Sequence, residues 1–215
     1  LLSYYDDFEQ VSMKKGNWLV LARTRFMLNE LEDKLYSQGL YYENKFKTNN
    51  EQELYLAIID WEDLRNNKVI NYEQIKRIAS FMSPRNYQKE ELQYLDKDAS
   101  YHMNELYQKK GLNTQKVWYE ALDAAPEHKI RYIRRMRENG EQLNKKPRIT
   151  LSTIHGVKGG EQDNVILLTD LSKNTQRNYE QNPDDENRLF YVGATRTKNH
   201  LHIIRPKDIY KGYKI

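Results

Sequence analysis

The spacing of apolar and polar positions changes twice along the chain, and the changes divide it into three parts. Residues 18–22, WLVLA, form a short apolar run behind the polar KKGN and read as a strand. In the following RFMLNELEDKLYSQG, Phe26, Leu28, Leu31 and Leu35 recur near helical spacing, with Gly39 as the stop. LYYE, residues 40–43, then reads as a second strand. Strand, helix and strand in that order are the grammar of an α/β sheet.

From about residue 48 the spacing becomes helical and stays so to about residue 140. NEQELYLAIIDWEDLRNN, NYEQIKRIASFM, PRNYQKEELQYLDKD, NTQKVWYEALDA and PEHKIRYIRRMRENG each place apolar residues three or four apart. Pro84 and Pro126 suit first turns, and Gly140 suits a helix end. Strand patterning returns after KKP with RITLSTI and NVILLTDL, followed by a helix over DDENRLFYVGATRTKNH and a last strand, LHIIRP. The expectation is an α/β domain made of residues 1–47 and 147–215, interrupted at 48–146 by an all-helical insertion. No internal repeat or low-complexity tract is present.

Composition narrows the function classes. A length of 215 residues suits one sizeable domain or two small ones. Thirty-five Lys and Arg against 31 Asp and Glu give a net charge of +4, a mildly basic balance that permits nucleic acid without demanding it. The lack of cysteine excludes a disulfide framework, a cysteine-ligated zinc site and a thiol nucleophile. No apolar run approaches the ~20 residues that cross a bilayer, and the N-terminus does not read as a secretion signal. A soluble intracellular protein is expected, and the start at Leu1 suggests a piece of a longer polypeptide.

The chemistry concentrates in STIHGVKGGEQDNVILL, residues 152–168, a strand end, a glycine-rich polar loop and a second apolar strand. Small residues there let backbone N–H groups approach an anion, while Thr153, His155 and Lys158 offer hydrogen bonds or charge to phosphates. TIHGVKGGE resembles motif V of the UvrD/Rep-type superfamily 1 DNA helicases, and DENRLFYVGATRTKNHLHI resembles their motif VI. Upstream, WLVLARTRFMLNELEDKLYSQGLYYE is similar to motif IV. The three occur in the family's order and cover about 85 residues, with the helical block where that family inserts its 2B subdomain.

The resemblance implies a RecA-like second motor domain, of the P-loop NTPase type, with a parallel sheet. It makes Arg23 and Arg196 the two arginines that reach a γ-phosphate across an interdomain cleft. Glu161 becomes a ligand of the nucleotide ribose beside Gly159 and Gly160, or else a cap on that turn or a partner of Lys158. Thr153 and His155 match positions that touch the single-strand backbone, and Lys158 either contacts phosphate or braces the loop. ATP, Mg2+ and single-stranded DNA are the implied ligands. No G-x-x-x-x-G-K-[ST] loop occurs, and PDDEN lacks the apolar strand that a Mg2+-binding acidic motif needs. An N-terminal RecA-like domain outside this chain is therefore the expected partner, and this chain alone is expected not to turn over ATP. A non-enzymatic nucleic-acid module on the same scaffold, and a subunit of a helicase-nuclease complex, are the alternative readings.

Four further features bear on the site. Gly193 costs a helix about 1 kcal/mol relative to alanine, so close packing against the sheet is expected. Arg188 and Tyr191 are expected to orient the motif VI helix or line the cleft. Residues 128–148 carry eight Lys or Arg against two Glu, a pattern that suits a DNA backbone or a solvated helix face. His200 and His202 share one face of the last strand, but with no third ligand near them they do not make a metal site.

Overall fold

A computed structural model describes residues 1–47, 52–157, 159–208 and 210–215. The expected boundary at 47/48 and the candidate Lys158 thus lie at or outside the edge of the described residues. The chain forms two compact units, one of Leu1–Thr48, Arg135–Glu141 and Lys146–Ile215, the other of Asn49–Arg134 and Gln142–Lys145.

The first unit is built on a six-stranded, all-parallel sheet. Its strands are β1 (Leu2–Tyr5), β2 (Trp18–Ala22), β3 (Tyr42–Asn44), β6 (Ile149–Thr153), β7 (Gln162–Leu168) and β8 (Thr197–Ile204), in the spatial order β1-β8-β7-β2-β6-β3. β2 lies at the centre, and all five of its side chains are buried, as a parallel strand covered on both faces requires. Trp18, Val20 and Ala22 face one layer with Ile149, Leu151, Ile166 and Ile204, closed by Leu28, Leu31 and Leu35 of helix α1 (Met27–Gln38). Leu19 and Leu21 face the other layer with Ile154, Val165, Leu167 and Phe190 of helix α8 (Pro183–Ala194).

Gly193 explains how closely α8 packs on that face. A Cβ there would stand 3.1 Å from Leu167 Cδ1 and 3.3 Å from Ile154 Cγ2, so the close packing expected from the sequence is present. The acidic stretch before the helix has a local reason as well. Asn182 caps α8, Pro183 opens it, and Asp184, Asp185 and Glu186 occupy the first turn, where the helix dipole favours negative charge.

Two elements of this unit escape the hydrophobic pattern. β1 pairs with β8 at the sheet edge, so Leu2 and Tyr4 remain exposed and no apolar run marks the strand. Helix α7 (Lys173–Gln181), capped by Ser172, is polar on nearly every side. β8 also begins at Thr197 rather than Leu201, because its first residues pair with β7 from Gln162 onward.

The basic stretch 128–148 divides between the units, and several of its cations serve the fold. In the first unit Arg148 donates to Glu141 at 2.5 Å and to the carbonyls of Gly16 and Met13, while Arg135 donates to the Ser37 carbonyl at 2.6 Å. The Glu141 side chain is almost wholly buried. These residues tie the returning chain to the sheet domain.

The second unit is mainly helical: α2 (Gln52–Arg65), α3 (Tyr72–Ser80), α4 (Met103–Lys109), α5 (Trp118–Ala121) and most of α6 (Glu127–Glu138). α3 begins in a reciprocal capping box between Asn71 and Gln74. Buried Asp60 accepts from Gln74 at 2.7 Å and Arg77 at 2.5 Å, and the Trp61 indole donates to the Lys116 carbonyl at 3.0 Å. Two departures from the all-helical expectation occur. A short antiparallel ladder joins β4 (Ile70–Asn71) to β5 (Ser100–Tyr101), and Lys89–Tyr94 forms a 3₁₀ helix without buried residues. Neither has the run length that sequence periodicity can register.

Candidate functional site

The sheet register assigns each candidate residue to one of two edges. Ala22 pairs with Thr153, and the Ile154 amide donates to the Ala22 carbonyl at 3.0 Å. Arg23 and the segment after Thr153 therefore emerge together at the C-terminal edge of the strands. Gln162 pairs with Thr197, and the Gln162 amide donates to the Arg196 carbonyl at 3.0 Å. Glu161 and Arg196 thus stand side by side at the opposite, N-terminal edge.

Arg23 and Arg196 are not brought together. With Trp18 level with Asn164 and Asn164 level with His200, their backbones stand roughly 25 Å apart along the strands at the ~3.3 Å rise per residue. Their side chains are anchored on different turns of α8. Arg23 Nε and Nη2 donate to Glu186 Oε2 and Oε1, each at 2.8 Å, in a bidentate pair. Arg196 Nε donates to the Val192 carbonyl at 3.0 Å and its Nη2 to Thr195 Oγ1 at 3.4 Å. A helix rise of about 9 Å separates those anchors. β2 ends at the C-terminal edge, whereas β8 begins at the N-terminal edge, so the two arginines leave the sheet at opposite ends.

The C-terminal edge opens into a cavity of about 730 Å³ whose lining includes Arg23, His155, Glu186 and Arg188. Glu186 is buried beneath Arg23, with its side chain 7% exposed against 21% for the arginine. His155 sits at the mouth. Loss of solvation lowers its pKa, the positive charge of Arg23 lowers it further, and Glu186 opposes both. The imidazole is consequently neutral near pH 7 and can both donate and accept. Thr153 is buried, and its Oγ1 accepts from the Gly156 amide at 3.1 Å, which shapes the turn that presents His155.

Residues 154–161 carry the chain from one edge to the other, passing from the end of β6 over β2 to the start of β7. Val157 is buried under this crossing. Gly159 takes φ +73°, a left-handed conformation that favours glycine, and releases the chain toward Glu161. Gly159, Gly160 and Glu161 are all exposed. One segment of eight residues therefore joins the His155 edge to the Glu161 edge.

Sequence reasoning missed Glu186, which PDDEN offered only as a failed metal motif, and missed the α7 carboxamides that line the cavity. Its place inside the DENRLFYVGATR stretch that resembles motif VI was the available signal for Glu186; α7 has no such signal. Arg188 lines the cavity as one of its two expected roles, whereas Tyr191 is 70% exposed. His200 and His202 stack at 4.2 Å within a polar ladder, with Ser3 Oγ 2.9 Å from His200 Nε2 and Tyr5 OH 3.2 Å from His202 Nδ1. Among the described residues no helix is long and apolar enough to cross a membrane.

Residues 3–208 match the UvrD-like helicase C-terminal domain. Among curated proteins, none matches the chain.

Proposed function

Because the chain belongs to the UvrD-like helicase C-terminal domain family, we propose that it is the second motor domain of an ATP-dependent translocase on single-stranded DNA, with nucleotide and strand met at opposite edges of its sheet. The observation that supports this reading best is the crossing segment 154–161, which ties His155 at one edge to Glu161 at the other.

At the N-terminal edge, Arg196 offers a permanently charged, planar guanidinium at the start of the strand next to that of Glu161, with Gly159 and Gly160 leaving the backbone accessible. ATP, held with Mg2+ by a separate phosphate-loop domain, would supply the phosphoanhydride. Arg196 would neutralise charge on the transferring phosphoryl group, and Glu161 would accept from the ribose hydroxyls. At the C-terminal edge Arg23 and His155 face the strand backbone, and Thr153 holds the turn after β6 in shape. Closure of the cleft would pull on Glu161 and so shift the grip at His155.

The test is ATP hydrolysis by the full polypeptide carrying this chain, with and without oligo-dT. Arg196→Ala is expected to lower turnover by about 10³-fold or more, as loss of an arginine finger does, while nucleotide binding persists. Arg23→Ala is expected to spare basal turnover and weaken stimulation by DNA. Equal loss of basal turnover in both variants would place both arginines at the phosphate and refute the two-edge reading.

A further inference from the structure

A second cavity, of about 270 Å³, opens beyond the ends of β1, β7 and β8 on the face of the sheet that α1 covers. Its floor is apolar: Phe8, Leu31, Leu168, Leu171 and Ile204 are each buried. Its lining also carries four carboxylates against three cations. All three cations already have partners. Arg205 donates to Asp6 at 2.9 Å, Lys34 lies 3.3 Å from Asp7 and 3.7 Å from Glu30, and Lys207 places its ammonium on Glu30 as well. Asp170 is the carboxylate left over. Among the described residues it has no ion pair, and its Oδ1 accepts from the Lys207 backbone amide at 3.0 Å. Loss of solvation pushes its pKa up, so its charged form gains from a cation brought in from outside.

The excess of negative charge disfavours a nucleic-acid strand in this cavity, and the volume lies below the ~300–1,000 Å³ of sites that enclose a whole small molecule. Phe26, 60% exposed, and half-buried Met27 line the same cavity. An exposed aromatic next to an apolar floor is the kind of surface that a protein interface buries at its core. Arginine is the side chain that answers all of these features. Its aliphatic stem suits the floor, its planar guanidinium can pair with one carboxylate through two donors, and its flat face can lie on an aromatic ring.

We infer that this cavity is a docking site for a partner protein that inserts an arginine: the stem lies on Phe8, Leu31 and Ile204, the guanidinium meets Asp170, and apolar neighbours of that arginine cover Phe26 and Met27. The site is separate from the Arg23 cavity, which Leu189 and Val192 line from the α8 side of the sheet.

The experiment follows the methyl NMR resonance of Met27, assigned by its loss in Met27→Leu, in the full polypeptide carrying this chain. The probes are acetyl-Leu-Arg-Leu-amide, the same peptide with citrulline for arginine, and agmatine. The arginine peptide is expected to shift the Met27 methyl saturably. Citrulline in the peptide, and separately Asp170→Asn in the protein, should each weaken that binding by about tenfold or more, the scale of one charge-assisted hydrogen bond. Asp170→Asn keeps an oxygen that can accept from the Lys207 amide, so the cavity retains its shape. Asp6→Asn, at a carboxylate already paired with Arg205, should change binding by about twofold or less. Absence of a saturable shift, equal binding of the citrulline peptide, or equal effects of Asp6→Asn and Asp170→Asn overturns the site. Agmatine bound as tightly as the peptide would make the occupant a free small cation, and an equal Met27 shift on adding oligo-dT would make it nucleic acid. A Met27 shift on raising the protein concentration alone would make it a second copy of this chain. Each of those outcomes overturns the partner protein.

Discussion

The Arg23–Glu186 pair is the contact on which the C-terminal edge depends, and its strength can be worked from its geometry. Glu186→Gln keeps the shape of the side chain but removes its charge and turns one acceptor into a donor facing Arg23. Two charge-assisted hydrogen bonds at 2.8 Å are lost or weakened, each worth roughly 1.5–3 kcal/mol. Breaking a fully buried pair costs about 3–5 kcal/mol because one charge is stranded. Here Arg23 retains 21% exposure, so water recovers part of that and about 2–3 kcal/mol is the expected destabilisation. Urea unfolding of the protein, Glu186→Gln, Arg23→Met and the double variant forms a complete cycle. The coupling energy should come out near 1–2 kcal/mol, since Arg23→Met also removes the charge that Glu186 was buried to meet. A coupling below about 0.5 kcal/mol, the usual scatter of independent sites, would show that the pair does not hold the strand end of β2 to α8.

Two predictions concern stability alone. Burial first, then the neighbouring His200, push the His202 pKa down to about 4, and its Nε2 is buried without a hydrogen-bond partner among the described residues. The unfolded chain therefore binds a proton that the folded one refuses. Stability should fall as pH drops below about 6.5, by about 2 kcal/mol at pH 5 at 1.36 kcal/mol per unit. Urea midpoints between pH 7.5 and 4.5 should slope less in His202→Phe, and identical slopes would refute the assignment. Gly193→Val should cost about 1–3 kcal/mol by overpacking against Leu167 and Ile154, whereas Gly193→Ala should stay within ~1 kcal/mol because helix propensity offsets the tighter contact. A valine variant that melts with the unaltered protein would show that α8 can move off the sheet.

The central strands, α1 and α8 were legible from the chain because each depends on local periodicity. A buried parallel strand must be apolar throughout, and a helix on a sheet must place apolar residues every third or fourth position. The motif resemblance likewise marked Arg23, Thr153, His155, Glu161 and Arg196, since those residues sit in short contiguous patterns. β1 and α7 were not legible: one is an edge strand with exposed side chains, the other a polar helix, and neither leaves an apolar trace. The β4–β5 ladder is two residues long on each side, below the length at which alternation means anything.

What sequence determined by itself, then, was where the central strands and the helices packed on them lie, and which motif residues are candidates. Which of those residues stand together was decided only by tertiary structure, because distance in a sheet follows from strand order and register, not from spacing along the chain. Motif order alone makes Arg23 and Arg196 partners, yet β2 ends at one edge where β8 begins at the other. Glu186, 163 residues from Arg23, is its actual companion, since α8 lies across the face that β2 supports.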